Sequence, residues 1–230
     1  MNFKLISVPT WYTPKKIIFC MDKIALFPLS LVVFPGEELR LHIFEPRYKQ
    51  LIHDCTTDNI TFGIPPYFEG KDLRYGTELE VTEIVKKYDD GKMDIKAKGI
   101  GWFEIDEFYK VFFGKLYPGG TIKRMPWDDD SNIVYAKKLV ALIHELYKTM
   151  NITNVPVASE EKFRSYQLGH KLGLSIEQEL AMLMISEESE RQLFLTAHLE
   201  NLLPLVKQAE TLRKRAELNG HFQNIIPPKI

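Results

Sequence analysis

Cysteine is scarce in this chain: Cys20 and Cys55 are the two among 230 residues. They make neither a disulfide framework nor a thiolate metal spacing, and a reducing, cytoplasmic compartment is the expectation. An excess of charge of one sign is also missing. Lys and Arg number 30 against 31 Asp and Glu, a net charge of −1, which implies no polyanion partner and leaves no basic tail. The longest apolar runs, such as residues 29–34, fall far short of the ~20 residues that a membrane helix needs. Catalytic signatures are lacking as well. Gly70-Lys71, Gly91-Lys92 and Gly114-Lys115 are followed by Asp72, Met93 and Leu116, so none completes a phosphate-binding loop. HExxH, GxSxG and CxxC do not occur, and His144-Glu145 has no second histidine at the required spacing. Neither a metal nor a cofactor is expected.

What is present is an ordinary globular composition, 45% hydrophobic and 27% charged, enough for one or two cores. Residues 26–48, LFPLSLVVFPGEELRLHIFEPRY, carry the densest signal. Two short apolar runs lead to Pro35-Gly36, which suits the central positions of a type II turn: proline presets φ and glycine takes φ > 0. Leu39, Leu41 and Ile43 alternate with Arg40 and His42, the period of a half-buried strand. His42 reads as a structural or surface polar group. Pro46 fits the first position of a helix, where its missing N–H costs nothing. Tyr48, Leu51, Ile52 and Cys55 give that helix one apolar face, with Cys55 a small buried hydrophobe.

From residue 22 to 127 the pattern is mainly β. Residues 24–29 and 31–34 read as strand pieces, 38–43 as a strand, 60–64 as a compact strand, and 65–75 as a loop. Thr77 to Tyr88 and Met93 to Lys98 flank the turn Asp89-Asp90-Gly91-Lys92 and predict a hairpin. Strands at 102–108 and 111–117 follow, and Pro118-Gly119-Gly120 turns the chain into a last strand at 121–125. Many short strands with turn signals predict a small barrel or sandwich. From 128 to 220 the period becomes helical. Asp128-Asp129-Asp130-Ser131 puts acid at a helix start, and Ile133, Ala136, Val140, Ile143, Tyr147 and Met150 form one face. A second helix is predicted over about 159–172, and Ser175 with Gln178 is a capping box for a third. The fourth begins near Glu187-Glu188, carries a stripe of Leu195, Leu199, Leu202, Val206, Ala209, Leu212 and Ala216, contains Pro204, and meets stop signals at Asn219-Gly220. Residues 221–230 form a tail. The fold class expected is α+β, with a β-rich unit followed by a bundle of about four helices.

The run F-P-L-x-L-V-V-F-P-G-E-E-L-x-L-H-I-F-E-P-R-Y within residues 26–48 strongly resembles the opening of the LON domain, the N-terminal substrate-recognition domain of Lon proteases, which also occurs alone. Phe62-Gly63, Gly76-Thr77, the Asp90-Gly91 hairpin and the Gly99…Phe103-x-Ile105 run match further. The resemblance covers most of residues 22–220. It implies a PUA-like six-stranded pseudobarrel with one short helix, followed by the helical bundle. Relatives often carry arginine just before that phenylalanine; Gly101 and Trp102 stand there in this chain. Lon proteases hydrolyse ATP and cut peptides with a serine–lysine dyad on other modules, for which 230 residues leave no room beside this domain. The resemblance therefore implies polypeptide binding without ATPase or protease activity. Unfolded or damaged segments would be held, with an ATP-dependent protease or chaperone as partner.

Candidate contact residues divide by environment. Glu45, Arg47 and Tyr48 suit either a peptide-contacting cluster or a set of ties that fix the helix start. Tyr67 and Phe68 lie in a loop without apolar periodicity and suit either transient contact with unfolded chains or a satellite core. Trp102 beside Phe103 suits core packing or an aromatic contact. The stripe of the last helix is a bundle seam that in part suits a homo-oligomer surface. Two other function classes remain open: a PUA-like nucleic-acid module using Lys86, Lys87, Lys96 and Lys98, and an enzyme whose site forms only in three dimensions. No signal peptide is apparent in residues 1–20, which Pro9, Pro14, Lys15 and Lys16 interrupt, and translation is expected to start at Met21. An intact mass of the native protein that includes residues 1–20 overturns that expectation.

Overall fold

Pro35 and Gly36 set the geometry from which both halves are built. The computed structural model describes residues 21–67, 74–128, 130–153 and 163–222. Within it Gly36 takes φ +84°, and the Glu37 N–H donates to the Phe34 carbonyl at 3.0 Å, as the Pro-Gly turn requires. After the turn comes the alternating strand, as predicted. The strands are β1 (Met21–Leu26), β2 (Glu38–Ile43), β3 (Phe62–Ile64), β4 (Tyr75–Lys87), β5 (Met93–Tyr109) and β6 (Gly119–Met125). They form one six-stranded mixed sheet in the order β2-β5-β4-β3-β1-β6, with β5 also pairing β6. Five strands thus close into a ring, β5-β4-β3-β1-β6, in which β1 and β3 are parallel. Strand β2 hangs outside it on β5.

Helix α1 (Pro46–Asp58) starts with Pro46 and buries Tyr48, Leu51, Ile52 and Cys55. These residues share the barrel core with Phe62, Ile64, Leu79 and Ile95. Burial pushes the Cys55 thiol up to about 12, which keeps it an inert hydrophobe. The second core gathers α2 (Ile133–Thr149), α3 (Ile176–Leu183) and the first half of α4 (Glu188–Phe222). Ser175 and Gln178 form the capping box of α3. Val32, Phe34 and Trp102 enter this helical core from the β-rich half.

Several expectations are corrected. Residues 31–34 form no strand. Their alternation instead sorts Val32 and Phe34 into the helical core and Val33 into the barrel. Residues 110–118 are a turn rather than a strand, because Phe113 and Gly114 both take positive φ, +47° and +76°. Hydrogen bonds from the Leu116 N–H to Gln50 Oε1 and from Tyr117 Oη to Asp54 Oδ2 tie that turn to α1. Gly119 and Gly120 lie inside β6. Met93 to Lys98 and residues 102–108 belong to one strand, β5. Among the described residues, two 3₁₀ turns, Ser165–Gln167 and Gly169–Lys171, stand where the second helix was predicted; residues 159–162 lie outside them. The long helix α4 runs through Asn219 and Gly220, so those residues weaken the helix without ending it. Its apolar stripe is packed only through Leu203 and Val206, and Leu212 beyond them is 64% exposed.

The acidic segment acts on a different helix from the one predicted. Asn132 caps α2, its Oδ1 accepting from the Val134 and Tyr135 N–H groups. Asp128 and Asp130 instead accept from the Glu188 N–H at the start of α4. There Arg191 and Glu188 are both fully buried. Arg191 Nε donates to Glu188 Oε2 at 3.0 Å, and its Nη1 donates to the Ile185 and Ser186 carbonyls at 2.7 and 2.9 Å. Its Nη2 donates to the Asp128 carbonyl, and its cation lies 4.2 Å from the centre of the Tyr166 ring. Glu188 Oε1 accepts from the Ser165 N–H and Oγ at 2.8 and 2.9 Å. A buried pair of this kind is costly to break from one side, ~3–5 kcal/mol, because the remaining charge is uncompensated. Arg191→Met is therefore expected to lower unfolding stability by about that amount in urea titration, and an effect under about 1 kcal/mol, the usual surface range, contradicts the assignment.

Candidate functional site

Two features lie where β2 begins. The first is the strand's open edge. The Gly99 N–H donates to the Glu37 carbonyl at 2.9 Å, and the register runs without a shift from Glu38↔Lys98 to Ile43↔Met93. Antiparallel alternation then gives the backbone groups of Leu39, Leu41 and Ile43 to β5 and turns the N–H and C=O groups of Glu38, Arg40 and His42 outward. Among the described residues β2 has no strand partner except β5. The other edge of this arm, β4 beyond Leu79, is interrupted by register shifts between Val81 and Glu83 and between Ile84 and Lys86. Bulges blunt a pairing edge, so β2 is the regular one. Beside it a shallow depression of ≈ 320 Å³ is lined by Leu41, His42, Val85 and Ile95 among others. Here His42 Nδ1 lies 2.6 Å from Asp94 Oδ1.

The second feature is a cleft of ≈ 390 Å³ at the N-terminal end of β2, between the Pro-Gly turn and the 3₁₀ segment, within the usual ~300–1,000 Å³ of small-ligand sites. Pro35, Trp127 and Tyr166 give it apolar and aromatic walls; Glu37, Arg164, His170 and Lys171 give it charge. Phe34 packs below, its ring centroid 5.1 Å from Tyr166 and 4.8 Å from His170. His170 joins the two halves: Nδ1 is 2.7 Å from Glu179 Oε1 on α3, and Nε2 is 3.2 Å from Glu37 Oε2. The same Glu37 oxygen accepts from the Phe34 N–H at 2.8 Å.

The residues singled out in the sequence do not assemble into one site. Arg47 Nε donates to Glu45 Oε2 at 2.8 Å, and Tyr48 is buried against Phe27, centroids 3.8 Å apart. Tyr67 is half exposed, its N–H donating to the Leu29 carbonyl at 2.8 Å. Phe68 lies outside the described residues. Trp102 is 3% exposed and sits in the helical core near Tyr75. Of the lysines considered for a phosphate backbone, Lys96 is paired with Glu83 at 2.6 Å and Lys86 lies over the Tyr88 ring. The cleft residues Trp127, Arg164, Tyr166, His170 and Lys171 were missed, since they come from segments without periodicity; Glu37 beside the Pro-Gly turn was the one available signal. Among the described residues no group of His, Cys, Asp and Glu is placed to hold a metal ion, and no helix is long and apolar enough to cross a membrane.

Hydrogen bonds to Glu37 and Glu179 raise the His170 pKa to about 9 against the opposing effect of burial. Because the folded value lies above the ordinary 6.5, the clamp's stabilisation is full below that pH and is lost as pH rises through about 9. The stability difference between the wild type and His170→Gln in urea titrations is expected to shrink steadily from pH 6 to pH 9.5, about the span between those two values. A difference independent of pH rejects the clamp.

Known proteins place this architecture. The chain is similar to the Lon N-terminal domain protein from Xanthomonas campestris, with a TM-score of 0.60 and 24% identity over 77% of this chain and 98% of that one. The N-terminal domain of the Mycobacterium avium complex Lon protease matches with a TM-score of 0.55 and 13% identity, over 78% and 98% of the two chains. At these identities the likeness is one of fold. No curated protein matches the chain. The profile of the ATP-dependent protease La (LON) substrate-binding domain matches residues 23–210, and the chain belongs to that family.

Proposed function

We propose that this LON domain holds an extended polypeptide segment by adding it as a strand to the open edge of β2, and does not cut it. The observation that carries the reading is the unshifted β2–β5 register, which leaves the outward amides and carbonyls of Glu38, Arg40 and His42 without a strand partner among the described residues. Strand addition draws its affinity from such main-chain groups and its selectivity from pockets for alternate side chains; the depression beside Leu41 and Val85 is one such pocket. The family description, a substrate-binding domain, fits this role. In this reading Tyr48 and Trp102 are framework, Glu45 and Arg47 fix the start of α1, and the half-exposed Tyr67 ring is an accessory contact. The segment held would come from unfolded or damaged protein, for delivery to an ATP-dependent protease or chaperone.

Hydrogen exchange tests the geometry directly. On adding an unfolded polypeptide, such as a reduced and alkylated small protein, the amides of Glu38, Arg40 and His42 are expected to slow by about tenfold or more, as newly formed hydrogen bonds do. Binding that leaves these three unchanged and protects another surface refutes the β2 reading.

A further inference from the structure

We infer that the cleft at the N-terminal end of β2 reads the free C-terminal carboxylate of the polypeptide laid along that strand. The inference rests on the β2 reading above and specifies its ligand.

Direction is the first argument. A strand added antiparallel to β2, the commoner and slightly more stable pairing, runs toward β2's beginning and brings its C-terminal end to Glu38. The ladder stops there. Pro35 has no N–H, the Gly36 N–H is already given to the Gly99 carbonyl at 2.8 Å, and the Glu37 N–H to that of Phe34. A ligand that continued past this point would carry unpaired backbone groups, which is unfavourable wherever water is excluded. One that ends there delivers a carboxylate into the cleft.

Charge is the second argument. Arg164 lies on the cleft wall with its Nη1 donating to the Phe163 carbonyl at 2.8 Å, and Lys171 on the same wall has no ion-pair partner among the described residues. The acidic residue lining the cleft is Glu37, whose Oε2 is engaged by the Phe34 N–H and His170 Nε2. The exposed Lys171 ammonium on this wall suits a carboxylate. Pro35, Trp127 and Tyr166 provide an apolar surface for the last side chain. The six residues of β2 span ~20 Å at about 3.3 Å each, so the ligand is an extended C-terminal segment of about that length.

The test uses two pools of the same randomised octapeptides, one ending in a free carboxylate and the other in an amide. Each is passed over the immobilised full chain, and bound peptides are counted by mass spectrometry. The free-acid pool is expected to be retained about tenfold or more over the amide pool, the factor carried by a charge-assisted hydrogen bond. Exposed Lys171 allows a mild variant: Lys171→Ala should reduce the ratio several-fold while its melting curve stays unchanged, and Lys171→Arg should restore it. Equal retention of both pools overturns the carboxylate inference and leaves strand addition standing. So does enrichment, within the amide pool, of acidic side chains that bind as well as the free acids. Retention of neither pool overturns the carboxylate inference together with the strand reading.

Discussion

Phe34 is the constraint on which the two halves depend. Its ring is fully buried in the helical core against Tyr166 and His170, while its neighbour Val33 points into the barrel. The burial of one such ring stabilises by about 1.5–3 kcal/mol, but its position matters more than that sum. A Cβ added to Gly169 would meet the Phe34 ring, and one added to Gly99 would overlap the Phe34 carbonyl oxygen. Side chains are therefore excluded on two sides so that the turn can stay close to β5 and to the 3₁₀ segment. The Glu37 carboxylate then holds the Phe34 N–H and His170 together. Sheet, helices and cleft share this one turn.

Ring closure explains why one edge is left over. A closed set of strands satisfies its own backbone groups and has no edge to template other chains. Here β5 is long enough to serve three neighbours, pairing β2 over residues 93–98, β4 over 93–104 and β6 over 102–109. The ring takes β4 and β6 and leaves β2 on the outside. Such an edge is a liability unless it has a use, and the charged side chains Glu38 and Arg40 on it discourage self-association. The buried Glu188–Arg191 pair has a comparable role among the helices, where its hydrogen bonds reach the Asp128 segment, the 3₁₀ turns and the α3–α4 link at once. These contacts place Tyr166 against Phe34 and Trp127 against Tyr166 and so give the cleft its walls.

Local chemistry was legible in the sequence wherever it decided local structure. Pro35-Gly36 made its turn, Pro46 began its helix, Ser175 and Gln178 made their box, and the alternation of residues 38–43 became β2 with its predicted bounds. Long-range placement was not legible. Residues 31–34 are a continuous apolar run that reads as a strand piece, but among the described residues no neighbouring strand pairs it, and hydrophobicity alone does not supply a partner. At 110–118 apolar residues suggested a strand, whereas two successive positive-φ residues turn the chain and leave Val111, Phe113 and Leu116 largely exposed. The acidic run reads as the start of the helix that follows it, whereas Asp128 and Asp130 accept from the start of a helix some sixty positions away. The cleft was least visible because the turn, Trp127 and the 3₁₀ segment meet only once both cores have formed.

Ring closure also orders events during synthesis. Strand β1 has its antiparallel partner in β6, with Met21 facing Lys123 and Ala25 facing Gly119, and only a two-pair parallel register to β3 before then. At ~5–20 residues per second a ribosome takes about 5–20 s to bridge that interval of roughly a hundred residues. Throughout that time the main-chain groups of β1 facing β6 stay unpaired, while β4, β5 and β2 can already form their local ladders. Among the described residues, β1 thus keeps a second strand edge without its partner for several seconds. Synthesis passes through a stage in which β1 offers the same kind of edge that β2 keeps in the finished fold.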